Sequence, residues 1–293
     1  MTLASLFLAT ALAHEPGGSG PAAASPWTAA DLAVIVPLGL SGGLYLVGLA
    51  RLWRQAGIGR GISKANAASF LAGWLTLALS LLSPLHDLGE TLFAAHMIQH
   101  VLLVAIAAPL LVLGRPGGAL SWGLPKVWRV GIGEIVRARP VAAVWFTVTR
   151  PLIATALHGA TVWAWHLPGL FDAALASPWL HWLEHASFLG TAAVFWWAML
   201  GRPARVNGYG LSVACLFVTL LHSSFLGMLL TLSPRPWYAP APGAAAWGLS
   251  ALEDQQLAGL IMWVPGGILY TLAALALAGL WITRSARPVR ARP

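Results

Sequence analysis

Seven long apolar stretches run along this chain and restrict what it can fold into. Each is close to the roughly 20 apolar residues that an α-helix needs to cross a bilayer. Charged residues make up only 9% of the sequence, too few to cover the surface of a soluble protein. The sequence therefore predicts an all-α integral membrane protein with seven transmembrane helices. The expected spans are Leu32–Ala50, Ala67–Ser83, Thr91–Gly114, Pro151–Leu167, Pro178–Leu200, Gly208–Leu232 and Gln255–Ile282.

A longer connection, Arg115–Arg150, separates the third span from the fourth. It mixes basic and aromatic residues, such as Trp122, Lys126 and Trp128, with short apolar runs. This pattern is typical of a helix that lies in the membrane interface. We expect an interfacial segment here.

The positions of the basic residues predict the orientation. All but one of the 17 lysines and arginines follow the first, third, fifth or seventh span, and the exception is Arg235. Seven crossings place those four segments on one side, and basic residues accumulate on the cytoplasmic side. We therefore expect the N-terminus outside and the C-terminus inside. The net charge of +8 then reflects topology, with the lipid bilayer and not nucleic acid as partner.

The ends of the chain differ from the seven-helix membrane domain expected over residues 31–283. Leu3–Ala13 is a short apolar run that ends in small residues, which fits a signal peptide, although no basic residue precedes it. Residues 1–30 are expected to form a possible signal peptide and a flexible outer tail, with cleavage left open. Residues 284–293 are expected to form a basic cytoplasmic tail.

Seven of the nine histidines lie inside the predicted spans. Ionisable side chains are costly there and are candidates for function. Counting residues at 1.5 Å rise from the outer end of each span puts all seven in the outer half of the membrane. We expect a shallow layer above a deeper one. The shallow layer is His96, His166 and His181, and the deeper layer is His100, His158, His185 and His222.

Two of the histidine pairs, His96 with His100 and His181 with His185, are four residues apart. Such residues share one helix face, so each pair can offer two imidazoles to one ion. Histidines that only hydrogen-bond between helices are the alternative, but seven in one leaflet favour a metal site. Imidazole suits copper or zinc. The Met262 thioether is either a further soft ligand or a side chain that packs in the core. Glu184, deep in a span, is expected to support the ligands or pair with a histidine.

Several motifs together resemble the multi-pass CtaG family of cytochrome c oxidase assembly factors. They are HMIQHVLLVAIAAPLLVLGRP at His96–Pro116, WAWHLPGLFDAAL at Trp163–Leu175, WLHWLEHASF at Trp179–Phe188, LHSSFLGMLLTLSPRPWY at Leu221–Tyr238 and EDQQLAGLIMWVPGG at Glu253–Gly267. The resemblance implies a role in maturing haem-copper oxidases in the bacterial inner membrane, with copper delivery as the expected chemistry. Oxidase subunits, and a periplasmic copper chaperone, are the implied partners. The matching motif residues are His96, Gln99, His100, His166, Asp172, His181, His185, His222, Asp254 and Gln255.

Three classes of function stay open at this stage. The favoured one is a non-enzymatic assembly factor that binds copper in the outer leaflet and delivers it to an oxidase subunit. A membrane metalloenzyme is the second, because His181–His185 fits H-x-x-E-H, the inverted zinc-protease motif, and paired histidine boxes also occur in di-iron desaturases. A haem carrier with histidine axial ligands is the third. The sequence leaves open the metal (copper, zinc or haem iron), the ligands among the seven histidines, the oxidase served and the oligomeric state.

Overall fold

The computed structural model describes residues 29–201 and 209–285, and this part of the chain is helical without strands. A π-helix, Leu102–Ala107, joins α4 to α5, and a 3-10 turn, Ala244–Trp247, precedes the last helix. The predicted leader and the basic tail beyond Ser285 lie outside the described residues. The α-helices are α1 Ala29–Ala56, α2 Lys64–Leu82, α3 Pro84–Thr91, α4 Phe93–Val101, α5 Ala108–Leu113, α6 Pro116–Gly123, α7 Lys126–Arg137, α8 Arg139–Val148, α9 Pro151–Trp165, α10 Pro168–Ala176, α11 Pro178–Leu200, α12 Tyr209–Leu232 and α13 Ala251–Ser285.

Five of the helical segments are long and apolar enough to cross a membrane. They correspond to the first, second, third, sixth and seventh predicted spans, with ends that agree to within a few residues except where α1 and α13 run further. The all-helical, multi-pass character expected from the sequence is therefore confirmed. The five segments are Leu32–Ala56, Lys64–Leu82, Phe93–Leu113, Tyr209–Leu232 and Ala251–Thr283.

The fourth and fifth predicted spans are helical but less apolar or shorter. α9 has only 15 residues, and it forms a possible broken span with α8, from which it bends by 74°. α11 has the predicted ends, Pro178 and Leu200, but it is not among the five helical segments that are long and apolar enough to cross a membrane. Seven crossings therefore stay a prediction.

The connection after the third span contains three helices with different surroundings. α6 packs tightly on α1, since a Cβ added at Gly48 would collide with the carbonyl oxygen of Ala119. By contrast, α7 buries no residue, and its Arg129 guanidinium lies 4.7 Å from the ring centroid of Trp122. α7 is thus the best match to the predicted interfacial helix, and its place at a membrane surface remains a prediction.

The main core lies between α9, α11, α12 and α13, around Phe188, Phe195 and Leu216. The backbones of α12 and α13 are in close contact at two glycines. A Cβ added at Gly227 would lie 2.8 Å from the carbonyl oxygen of Gly259, and the reverse distance is 2.6 Å. Small residues allow such backbone contact between membrane helices. This packing fixes α13 beside the helices that carry the histidines.

One end of the bundle is closed by α3, α10 and the connection between α12 and α13. The Gly243 amide donates to the Thr91 carbonyl at 2.8 Å, and the Tyr238 hydroxyl donates to the His166 carbonyl at 2.9 Å. These bonds tie the connection to the end of α3, just before α4, and to the residue that follows α9. The candidate site lies directly beneath this closed end.

Candidate metal centre

Five of the seven predicted histidines come together beneath the closed end of the bundle, and we call them the histidine cluster. α4 supplies two, α11 supplies two, and the fifth follows the last residue of α9. The ring centroids of His96 and His181 are 5.1 Å apart, and those of His100 and His185 are 5.3 Å apart. All five side chains are buried. The histidine cluster is His96, His100, His166, His181 and His185.

The potential ligand atoms form two overlapping sets. The first set is His96, His181 and His185, and the second is His96, His100 and Glu184. Within each set the ligand atoms all lie within 4.8 Å of one another, a spacing from which small side-chain rotations can bring them onto one ion. His96 belongs to both sets. The two i,i+4 pairs predicted from the sequence thus face each other across α4 and α11.

Glu184 lies among these ligands and is fully buried. Its carboxylate oxygens are 3.5 Å from His96 Nε2 and 3.6 Å from His100 Nε2. A buried carboxylate is costly unless a positive charge compensates it. A bound cation would supply that charge.

The ring nitrogens of the cluster have few partners. Both ring nitrogens of His96, His100 and His185, and Nε2 of His166 and His181, are buried without a hydrogen-bond partner among the described residues. Buried polar atoms are nearly always paired, and unpaired ones call for an explanation such as an ion. Imidazole and carboxylate are ligands that copper and zinc accept. The donor set therefore fits the predicted metal.

His166 shows how the backbone can prepare a ligand. Its Nδ1 lies 2.7 Å from the carbonyl oxygen of Val162, and a carbonyl can only accept, so Nδ1 carries the proton. Nε2 then keeps its lone pair and has no partner among the described residues. A histidine ligand commonly fixes its tautomer through a hydrogen bond of this kind. His166 is therefore oriented for ligation through Nε2.

The other two predicted histidines lie elsewhere. His158 is buried with Nδ1 3.3 Å from Thr191 Oγ1 and Nε2 3.4 Å from the Tyr270 hydroxyl. His222 lines a separate groove with Cys215, and its Nε2 would lie 3.3 Å from a Cβ added at Gly159. The structure does not bring these two histidines into the cluster.

Two cavities adjoin the histidine cluster. A small one of about 20 Å³ touches His96 and is lined by Glu90 and Tyr238 at the closed end of the bundle. A second of about 50 Å³ touches His100 and His166. Space therefore adjoins the cluster at His96 and, separately, at His100 and His166.

The model of one protein family matches most of the chain. The model of the cytochrome c oxidase caa3 assembly factor family (Caa3_CtaG) matches residues 43–284. The chain belongs to this family. The five motifs that carried the resemblance all fall within the matched residues, so the expectation from sequence is confirmed.

Curated relatives of this caa3 assembly-factor family member come from mycobacteria. Uncharacterized proteins of Mycobacterium bovis and Mycobacterium tuberculosis are each 26% identical to it over 260 residues, and one of Mycobacterium leprae is 24% identical over 258 residues. These matches cover 83% of this chain but only 37 to 38% of each relative. The chain thus spans little more than a third of the length of these relatives. No solved structure matches it.

The motif residues of the assembly-factor family that are not histidines support the site from outside. Asp254 is buried, and its carboxylate accepts hydrogen bonds from the amides of Phe93 and Ala94, both at 2.9 Å. This caps α4, which carries His96. Gln99 donates to the Ser80 carbonyl at 2.7 Å.

Two further motif residues hold the connection that closes the bundle. Gln255 Oε1 accepts from the Trp237 amide at 2.6 Å, and Asp172 accepts from the Ala239 amide at 3.2 Å. Burial raises the pKa of the Tyr238 phenol, so that Tyr238 stays a neutral donor to the carbonyl of His166.

One histidine beside the cluster, His86, is not among the site residues predicted from the sequence. The ring of His86, on α3, is 5.5 Å from that of His181, and its Nδ1 is 3.4 Å from Gln99 Nε2. His86 lies between two predicted spans, and depth was counted only for histidines within a span. The signal that could have found it is Ser83 followed by proline, a start typical of a helix.

Proposed function

We propose that this protein assists the assembly of haem-copper cytochrome c oxidase by binding copper at the histidine cluster and passing it to an oxidase subunit. The observation that carries this proposal is the burial of five convergent histidines, each with at least one unpartnered ring nitrogen. Membership of the assembly-factor family supplies the biological context. The role is non-catalytic, and copper is the cargo.

The overlapping ligand sets suit a carrier that must release its ion. Because His96 belongs to both sets, an ion can exchange His181 and His185 for His100 and Glu184 without leaving the protein. Neutral imidazoles bind copper through single lone pairs, so each step breaks one coordination bond as another forms. The transfer needs no change in the protein's covalent structure.

The proposal includes a direction. We place seven crossings in a bacterial inner membrane, with the N-terminus outside, the C-terminus inside and the cluster in the outer leaflet. The cavity that touches His96 is also lined by Glu90, whose negative charge favours cations. Copper would arrive there from the periplasmic side, from a copper chaperone, and leave to an oxidase subunit on the same side.

Reporter fusions test this topology. Fusions after Arg60 and after Arg292 should report a cytoplasmic location, and a fusion after Asp172 should report a periplasmic one, because of the bias in basic residues. A periplasmic signal from the Arg292 fusion would overturn the seven-span arrangement.

A metal-dependent hydrolase is the second candidate function. The observation that favours it is the position of Glu184, which lies among the ligand atoms as the glutamate of an H-x-x-E-H site must. In that role Glu184 would accept a proton from a water bound to the metal. The carrier and the hydrolase therefore differ in what Glu184→Gln should do.

A deletion strain provides the cellular test. The strain should make the oxidase polypeptides but lack copper-dependent oxidase activity, and excess copper should restore part of that activity. A plasmid encoding the double variant His181→Ala/His185→Ala should fail to complement, whereas one encoding His158→Ala, with an equally buried histidine outside the cluster, should succeed. Full complementation by the double variant, made at normal level, would contradict the proposal.

A further inference from the structure

The larger cavity beside the histidine cluster brings methionine sulfur close to two of the histidines. This space of about 50 Å³ lies between α4, α9, α11, α12 and α13. Its lining includes His100, His166, Met97, Met262 and Tyr270. Two imidazoles and two thioethers therefore border one partly open cavity.

The two histidines have lone pairs to offer to this space. His166 Nε2 and both ring nitrogens of His100 are buried without a hydrogen-bond partner among the described residues. The Tyr270 hydroxyl is different, since it is already 3.4 Å from His158 Nε2. His100 and His166 are thus the nitrogen donors at this cavity.

The two methionines are not equivalent. Met97 is almost fully buried and packs in an apolar cluster with Phe93, Phe171 and Tyr238. Met262 is only partly buried, and Gly266, one turn later on α13, leaves space beside it because nothing lies within 4 Å of an added Cβ. Met262 is free to adjust towards an ion in the cavity.

We propose that His100, His166 and Met262 form a second metal position that takes Cu(I). A thioether is a soft ligand that favours Cu(I), whereas Cu(II) and zinc prefer imidazole and carboxylate. The cavity volume of about 50 Å³ exceeds the roughly 10–15 Å³ that a site needs to hold one water, so there is room for one ion. The inference rests on the proposed copper function and adds the oxidation state of the cargo.

His100 connects the two positions. It belongs to the ligand set with His96 and Glu184 and also lines the cavity. An ion held by that set can therefore exchange His96 and Glu184 for His166 and Met262 while His100 stays bound. The copper remains Cu(I) throughout, so the step requires no electron donor or acceptor.

X-ray absorption spectroscopy tests the assignment on the full chain, purified in detergent and loaded anaerobically with two equivalents of Cu(I). We expect a sulfur scatterer in the first coordination shell. It should disappear in Met262→Leu and persist in Met97→Leu, the matched control. The affinity for Cu(I), measured by competition with a chromogenic chelator, should fall at least about tenfold in Met262→Leu, with zinc affinity unchanged.

The outcomes separate this inference from the proposed function. Copper bound through nitrogen and oxygen alone in the unaltered protein would overturn the Met262 position and leave the histidine site standing. Sulfur that persists in Met262→Leu would also overturn it. A protein that retains no copper at all would instead overturn the proposed function.

Discussion

His158 and the histidine cluster are equally buried, but the surroundings of their ring nitrogens differ. Both nitrogens of His158 lie within 3.4 Å of hydroxyl groups, on Thr191 and Tyr270. In the cluster, the nitrogens of His96, His100 and His185 have no such partner among the described residues. Burial alone therefore does not mark a metal ligand. Unpartnered ring nitrogens mark a candidate site only where several histidines converge, because both ring nitrogens of His222, outside the cluster, also lack a hydrogen-bond partner among the described residues.

The variant with the largest expected effect, His96→Ala, compares these two environments directly. His96→Ala should lower copper affinity by more than about 100-fold, because His96 belongs to both ligand sets and the loss of one ligand exceeds the usual outer-shell effect. His158→Ala removes an equally buried histidine and should leave copper content unchanged. Copper per protein after dialysis is the measurement. Equal loss in both variants would break the comparison.

Glu184→Gln should have the next largest effect. We expect copper affinity to fall by about tenfold, because an amide is a weaker ligand, while copper transfer continues. The copper-free protein should unfold at the same or a higher temperature, since a buried carboxylate beside neutral histidines is costly. Asp172→Asn, on the connection near the closed end, is the control and should leave copper binding unchanged. Complete loss of function with normal metal content would favour the hydrolase.

Asp254→Ala should act on both stability and binding. The carboxylate of Asp254 caps the first turn of α4, and loss of such a cap costs about 1 kcal/mol. Because α4 carries His96 and His100, copper affinity should also fall, but by less than in His96→Ala. Thermal unfolding and chelator competition measure the two effects. A loss of affinity as large as that of His96→Ala would mean that Asp254 does more than hold the helix.

Tyr270→Phe should have the smallest effect. It tests the comparison at His158 instead of at the histidine cluster. The variant removes the hydroxyl near His158 Nε2 and should lower the free energy of unfolding by about 1 kcal/mol. Copper affinity should stay within about twofold of the unaltered protein, because the hydroxyl lies beside His158, outside the histidine cluster. A larger change would show that His158 and the cluster are coupled.

Much of the fold follows from the sequence because membrane spans are specified by apolar length. α11 has the predicted ends, Pro178 and Leu200, since proline and glycine bound its apolar run. α9 is shorter than predicted and bends from α8, at a junction where Arg150 and Pro151 interrupt the apolar pattern. The helix boundaries were thus largely predictable, and the local bend was not.

The site was predictable only in part, because depth along a helix can be counted while rotation about its axis cannot. The i,i+4 spacing placed His96 beside His100 and His181 beside His185. It could not show that these faces meet, or that Glu184 lies between them. Depth counting grouped His158 and His222 with the deeper ligands, yet their side chains lie away from the cluster.

Metal analysis and an absorption spectrum of the full chain, purified in detergent and loaded with Cu(I), test the central claim most directly. We expect copper bound in stoichiometric amounts, no Soret band, and a lower copper content in His96→Ala but not in His158→Ala. A Soret band would identify a haem carrier. A protein that binds only zinc, or no metal, would contradict copper binding at the histidine cluster.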